Sequence, residues 1–161
     1  MRSAVFSLAL AAGALASPMD MIEKRKAAPC INDVEAQRFM GRFTSILQHT
    51  SSDLGDYVTT ANKLLTEDFQ EISDSINMLA NKPLGSVTAD KAAYIKGAQN
   101  SPGASGIENV FVKSFNCKQI LWEWNMVGIG KATYPVKGYA VFKVGRTGEK
   151  GRIQASTCCT S

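Results

Sequence analysis

The sequence predicts an α+β domain, with N-terminal helices covering one face of an antiparallel sheet. Three observations carry this. Apolar residues recur at the three-and-four spacing of a helix between Asn32 and Leu65. From Ile107 onward the spacing changes to two, the period of a half-buried strand. Short Gly-rich breaks separate the later segments, as expected for neighbouring antiparallel strands. Helices first and strands afterwards make the α+β class.

The first helix is expected over Asn32 to Gln48, where Ala36, Phe39, Met40, Phe43, Ile46 and Leu47 form one stripe. Asn32 followed by Glu35 has the chemistry of an N-cap and its N3 partner, and Asp33 adds negative charge at the positive end of the helix dipole. After a polar break at His49 to Ser52, a second helix is expected to place Leu54, Tyr57, Val58, Ala61, Leu64 and Leu65 on one side. A third is expected over Ala89 to Ala98, capped by Thr88, with Ala92, Ala93 and Ile95 as a thin apolar side. The strands expected are Ile107 to Cys117, Lys118 to Gly128, Tyr134 to Val144 and Arg152 to Thr157. In the second of these, Ile120, Trp122, Trp124 and Met126 share a face; in the third, Val136, Ala140, Phe142 and Val144 oppose Lys137 and Lys143.

Processing signals precede the domain. Arg2, an apolar run from Ala4 to Ala16 broken by Ser7, and Ala14-Leu15-Ala16 before Ser17-Pro18 have the layout of a signal peptide over residues 1–16. The run is shorter than the roughly 20 residues needed to span a bilayer. A secreted, extracellular protein with no membrane attachment after leader removal is therefore expected. Residues 17–29 read as a propeptide or linker, and Lys24-Arg25 resembles the site of a dibasic processing protease of the fungal secretory route. Cutting there leaves 136 residues, enough to bury about two thirds of the unfolded surface. The domain is expected over 30–161.

The 161 residues are 45% hydrophobic and 20% charged, which excludes fibrous and disordered classes. Eight acidic residues lie between Asn32 and Ala80, and eight basic ones between Lys113 and Arg152. These read as two solvated faces of opposite sign. A net charge of +4 does not supply the gathered basic surface that nucleic-acid binding needs, so no nucleic-acid partner is expected.

Two helices, a short extended stretch, a third helix and then long strands is an order similar to that of the NTF2-like superfamily. The segment from Leu64 to Ile76, Leu-Leu-Thr-Glu-Asp-Phe-Gln-Glu-Ile-Ser-Asp-Ser-Ile, resembles its passage from second helix into first strand. From Cys30 onward the chain resembles the small secreted NTF2-like proteins of filamentous fungi, which open with a Cys before the first helix and carry Phe-Gln-x-x-Ser-Asp-Ser near this point. The resemblance implies a bent sheet wrapping the helices into a cone with a pocket at its open end. It departs at the C-terminus, where Arg152 to Ser161 lacks the usual acidic, Phe, Asn and aromatic ending; a shortened last strand and a less covered sheet edge are expected.

Four cysteines in an exported chain read as disulfides with three pairing schemes. Cys30 with Cys117 is favoured, because it ties the start of the first helix to the sheet; adjacent Cys158 and Cys159 would be strained if paired together. His49, the sole histidine, sits where a helix ends, so a terminal role is expected of it before a catalytic one. One His and no zinc-like cysteine spacing give no expected metal site, and no cofactor is expected.

Ketosteroid-isomerase-like members of the superfamily place a general-base carboxylate near Ser73 or Asp74, which makes Asp74 the catalytic candidate. Strand alternation sets Phe69, Glu71 and Ser73 on one face and Gln70, Ile72 and Asp74 on the other. Trp122, Trp124, Tyr134, Tyr139 and Phe142 are candidate walls for a flat apolar ligand, and their spacing also suits plain core packing. The functional expectation is a domain binding a small apolar molecule or a protein partner, with homodimerisation through the sheet face a further option. The alternative is a cofactor-free isomerase, dehydratase or cyclase.

Overall fold

The computed structural model describes residues 30–74, 77, 82–85, 90–128 and 134–145, together with the backbone of 152–160. Residues 1–29, with the expected leader and dibasic site, lie outside the described residues.

Helix α1 spans Asp33–Leu47 and is entered through the expected capping box. Asn32 Oδ1 accepts from the Glu35 backbone N–H at 2.9 Å, and Glu35 Oε2 accepts from that of Asn32 at 3.0 Å. Two orphan donors of the first turn are thereby satisfied. The helix ends in a Schellman motif: the N–H of His49 donates to Ile46 O at 3.3 Å and that of Thr50 to Ser45 O at 2.9 Å. His49 takes the left-handed conformation there (φ 55°), a position that glycine usually fills.

Helix α2 covers Tyr57–Leu64, later than the periodicity suggests. Asp56 is its N-cap, its carboxylate accepting from the Thr59 N–H at 2.8 Å, while Ser52 and Gly55 close a tight turn before it. Leu65, expected in this helix, begins strand β1 (Leu65–Ser73), so helix passes into strand with no loop. Helix α3 runs Lys91–Gln99 and is capped by Asp90, whose carboxylate accepts from the Ala93 N–H at 2.8 Å. The expected cap Thr88 lies outside the described residues. The buried side of α3 is corrected in part: Lys91 and Tyr94 are buried and Ile95 packs half-buried against the core as expected, whereas Ala92 and Ala93 face out. The phenol ring, one turn from Lys91, covers far more core than a methyl group can.

Strands β2 (Gly106–Phe115), β3 (Gln119–Val127), β4 (Val136–Gly145) and β5 (Arg152–Thr160) complete a five-stranded sheet in the order β1-β5-β4-β3-β2. Three pairings are antiparallel; β1 and β5 pair in parallel. The last strand therefore runs nine residues and is bonded on both sides. The expected uncovered edge is not there, because β5 returns between β1 and β4; the edges are β1 and β2. Edge strand β2 is bulged between Asn109 and Phe111, and both Val110 and Phe111 are exposed.

The core lies between the helices and the inner sheet face. Phe43 of α1 is its hub, packing edge-on against Phe142 (4.9 Å) and Trp122 (6.2 Å) and stacking with Tyr94 of α3 (6.2 Å). The expected Cys30–Cys117 disulfide is present, linking Cys30, three residues ahead of α1, to the β2–β3 turn. There Asn116 and Cys117 both have positive φ, and Ile31 N–H donates to Cys117 O at 3.2 Å.

Candidate functional site

Strand β1 alternates as its sequence requires. Phe69 is fully buried, Ser73 is buried, and Glu71 sits between them on the same inward face. Helix α3 crosses this face. Its Tyr94, 7% exposed, meets Phe69 edge-on at 5.0 Å. Glu71 is half-buried, yet the packed surroundings deny its carboxyl enough water that burial lifts its pKa from 4.5 to about 7. Burial pushes the Tyr94 phenol well above its ordinary value, and the nearby Glu71 charge adds to the effect. A carboxyl divided between its two protonation states near neutral pH can take or return a proton, and a phenol held protonated can donate a hydrogen bond.

Lys91 is buried, with its ammonium on the carboxylate of exposed Glu67 and 3.4 Å from Asn62 O at the end of α2. It fastens the start of α3 to the α2–β1 passage.

Asp74, the expected base, is exposed, and its carboxylate accepts from the Gly85 N–H at 2.6 Å. It lies at the end of β1, outside the helix–sheet interior, where a carboxylate stabilises a loop. The five aromatic wall candidates are not brought together. Trp122, Trp124 and Phe142 are buried in the core, whereas Tyr134 (80% exposed) and Tyr139 (49% exposed) face solvent. Tyr139 follows the parity of Lys137 and Lys143, so it belongs to the outer face. His49 lies past the end of α1 with its ring stacked on Tyr57 at 4.4 Å; its helix-end role runs through backbone conformation and stacking.

The two indoles differ. Trp122 Nε1 donates to Asn109 Oδ1 at 2.7 Å, whereas Trp124 Nε1 is buried with no hydrogen-bond partner among the described residues. Two open depressions lie on the β2 side. One of about 590 Å³ is bordered by Ile107, Glu108, Asn125, Val127 and Lys137, and one of about 450 Å³ by Gln37 and Asn109 to Val112. Among the described residues, no group of three His, Cys, Asp or Glu side chains could hold a metal ion, and no helix is long and apolar enough to cross a membrane.

Sequence reasoning did not single out the Glu71–Tyr94 pair. The signal was present in part: Glu71 shares strand parity with Phe69 and Ser73. Tyr94 was hidden, because the crossing of α3 over β1 is tertiary.

A five-stranded sheet with helices packed along its inner face and ionisable groups turned into the interior defines an α+β cone. The chain belongs to the NTF2-like domain family, whose model matches residues 29–158. Solved structures share the fold. A SnoaL-like protein of unknown function from Burkholderia thailandensis is 15% identical, with 82% of this chain and 98% of that one covered and a TM-score of 0.59. An NTF2-like protein of unknown function from Mesorhizobium loti is 14% identical over 80% and 93%, with a TM-score of 0.56. An NTF2-like protein from Cytophaga hutchinsonii is 11% identical over 91% and 100%, with a TM-score of 0.52. At these identities the likeness is one of fold. No curated protein matches the chain.

Proposed function

We propose that the chain is exported and that its mature domain binds a small apolar molecule against the inner sheet face, with Glu71 and Tyr94 as the polar groups of the site. One observation carries the site: a carboxyl on the interior side of β1, raised by burial to about 7, beside a buried phenol. An ionisable group in that setting costs stability, which is characteristic of positions kept for binding or chemistry. Export is supported by the signal-like residues 1–16 and by the Cys30–Cys117 disulfide, a bond suited to an oxidising compartment.

The Glu71 carboxyl also favours a second reading, a cofactor-free isomerase, dehydratase or cyclase. In it Glu71, rather than Asp74, moves the proton while the Tyr94 hydroxyl polarises the substrate. Both readings make Glu71 necessary.

Native mass spectrometry of protein recovered from culture medium tests the proposal. The expected outcome is an N-terminus beyond residue 16, an intact Cys30–Cys117 disulfide, and a non-covalent ligand in the wild type that is depleted in Glu71→Gln. A reduced chain retaining residues 1–16 contradicts export. Equal ligand occupancy in wild type and variant contradicts the site.

A further inference from the structure

Trp124 is 4% exposed and its Nε1–H has no hydrogen-bond partner among the described residues, while the neighbouring indole of Trp122, 5.9 Å away, is satisfied by Asn109. Leaving a buried donor unpaired costs stability, and a phenylalanine would fill most of the same volume without that cost. The position opposite Trp124 in β4 is Gly138, which is buried and presents no side chain, whereas Ala140 stands opposite Trp122 and Val136 opposite Met126. At the position paired with Trp124, β4 therefore contributes no side chain.

We infer that the ligand of this domain carries a hydrogen-bond acceptor, a carbonyl or ether oxygen on an otherwise apolar body, and that Trp124 Nε1–H receives it. The inference rests on the small-molecule reading given above and narrows the class of ligand. Indole binds the acceptor as a neutral donor, so charged carboxylates and plain hydrocarbons are both disfavoured. Trp122 is not equivalent, because its N–H is already engaged.

The test is a two-dimensional ¹H–¹⁵N titration of the two indole N–H signals of the disulfide-bonded domain, with cyclohexanone and methylcyclohexane as a size-matched pair of probes. Cyclohexanone should shift the Trp124 signal and leave that of Trp122 in place. It should bind about tenfold more tightly than methylcyclohexane, the equivalent of one neutral hydrogen bond. Trp124→Phe should abolish the preference; if that variant does not fold, the wild-type titration decides alone. Equal binding of the two probes overturns this inference and leaves the small-molecule reading standing. Binding of neither overturns both. A persistent contact between the Trp124 N–H and a bound water, unchanged by cyclohexanone, assigns the donor to solvent and overturns the inference.

Discussion

Two carboxylates in this domain are shifted in opposite directions, and their surroundings explain why. Asp33, at the start of α1, is held at about 2 by hydrogen bonds from Lys113 and Ser114: the ammonium at 2.6 Å, the backbone N–H at 3.0 Å and the hydroxyl at 2.7 Å. With the neighbouring Cys30–Cys117 bond, it clamps the entry of α1 to the β2–β3 hairpin. Glu71, on the inner face of β1, is raised to about 7 by burial. The clamp satisfies its charges and lies near the surface; the α3–β1 seam holds a charge at a cost in stability. The first arrangement supports the fold, and the second is where function is to be sought.

Removing the clamp's covalent half should have the largest effect. Cys30 and Cys117 are 87 residues apart, and a loop of that length is worth about 4–5 kcal/mol in the chain-entropy treatment. Cys30→Ser with Cys117→Ser should therefore lower the thermal midpoint strongly at every pH while leaving the Glu71 titration where it is. A displaced Glu71 titration in this variant would show that the two regions are not independent.

Asp33→Asn should act more weakly and in a pH-dependent way. The folded-state pKa of Asp33 lies below its unfolded value, so its contribution is present above about pH 4 and disappears as pH falls toward 2. Thermal melts should show the variant less stable than the wild type near pH 7, with the gap closing at low pH. A constant gap across that range would mean that the clamp works through shape alone.

The clamp's covalent half and the adjacent helix cap were legible in the sequence, whereas the bonds from Lys113 and Ser114 to Asp33, 80 and 81 residues apart, were not. Asn32 and Glu35 stand three apart at a helix start, and Cys30 precedes them, so local chemistry alone foretells the cap and makes the disulfide reasonable. The sheet's inner face was legible too, because Ile120, Trp122, Trp124 and Met126 keep strict period two. Tyr139 could have been assigned to the outer face by the same parity, since it falls with Lys137 and Lys143. Tyr134 precedes β4, where parity gives no guidance. The seam was less legible. That Glu71 rather than Asp74 faces the interior follows from alternation, but its raised pKa depends on α3 folding Tyr94 over β1. No spacing within either segment encodes that crossing. The β5 position between β1 and β4 is likewise set by the chain's return path, and the ending of the sequence alone suggested an edge.

For Glu71 the sign of the linkage is reversed from that of Asp33. Its folded pKa is raised above the ordinary 4.5, so the folded state binds the extra proton and loses stability as pH rises from about 4.5 through 7. The direct measurement is a ¹³C NMR titration of the Glu71 side-chain carboxyl in the folded, disulfide-bonded domain. A midpoint near 7 is expected. A midpoint near 4.5 would mean that this carboxyl is as well hydrated as any on the surface, and the seam would lose its claim to be the site.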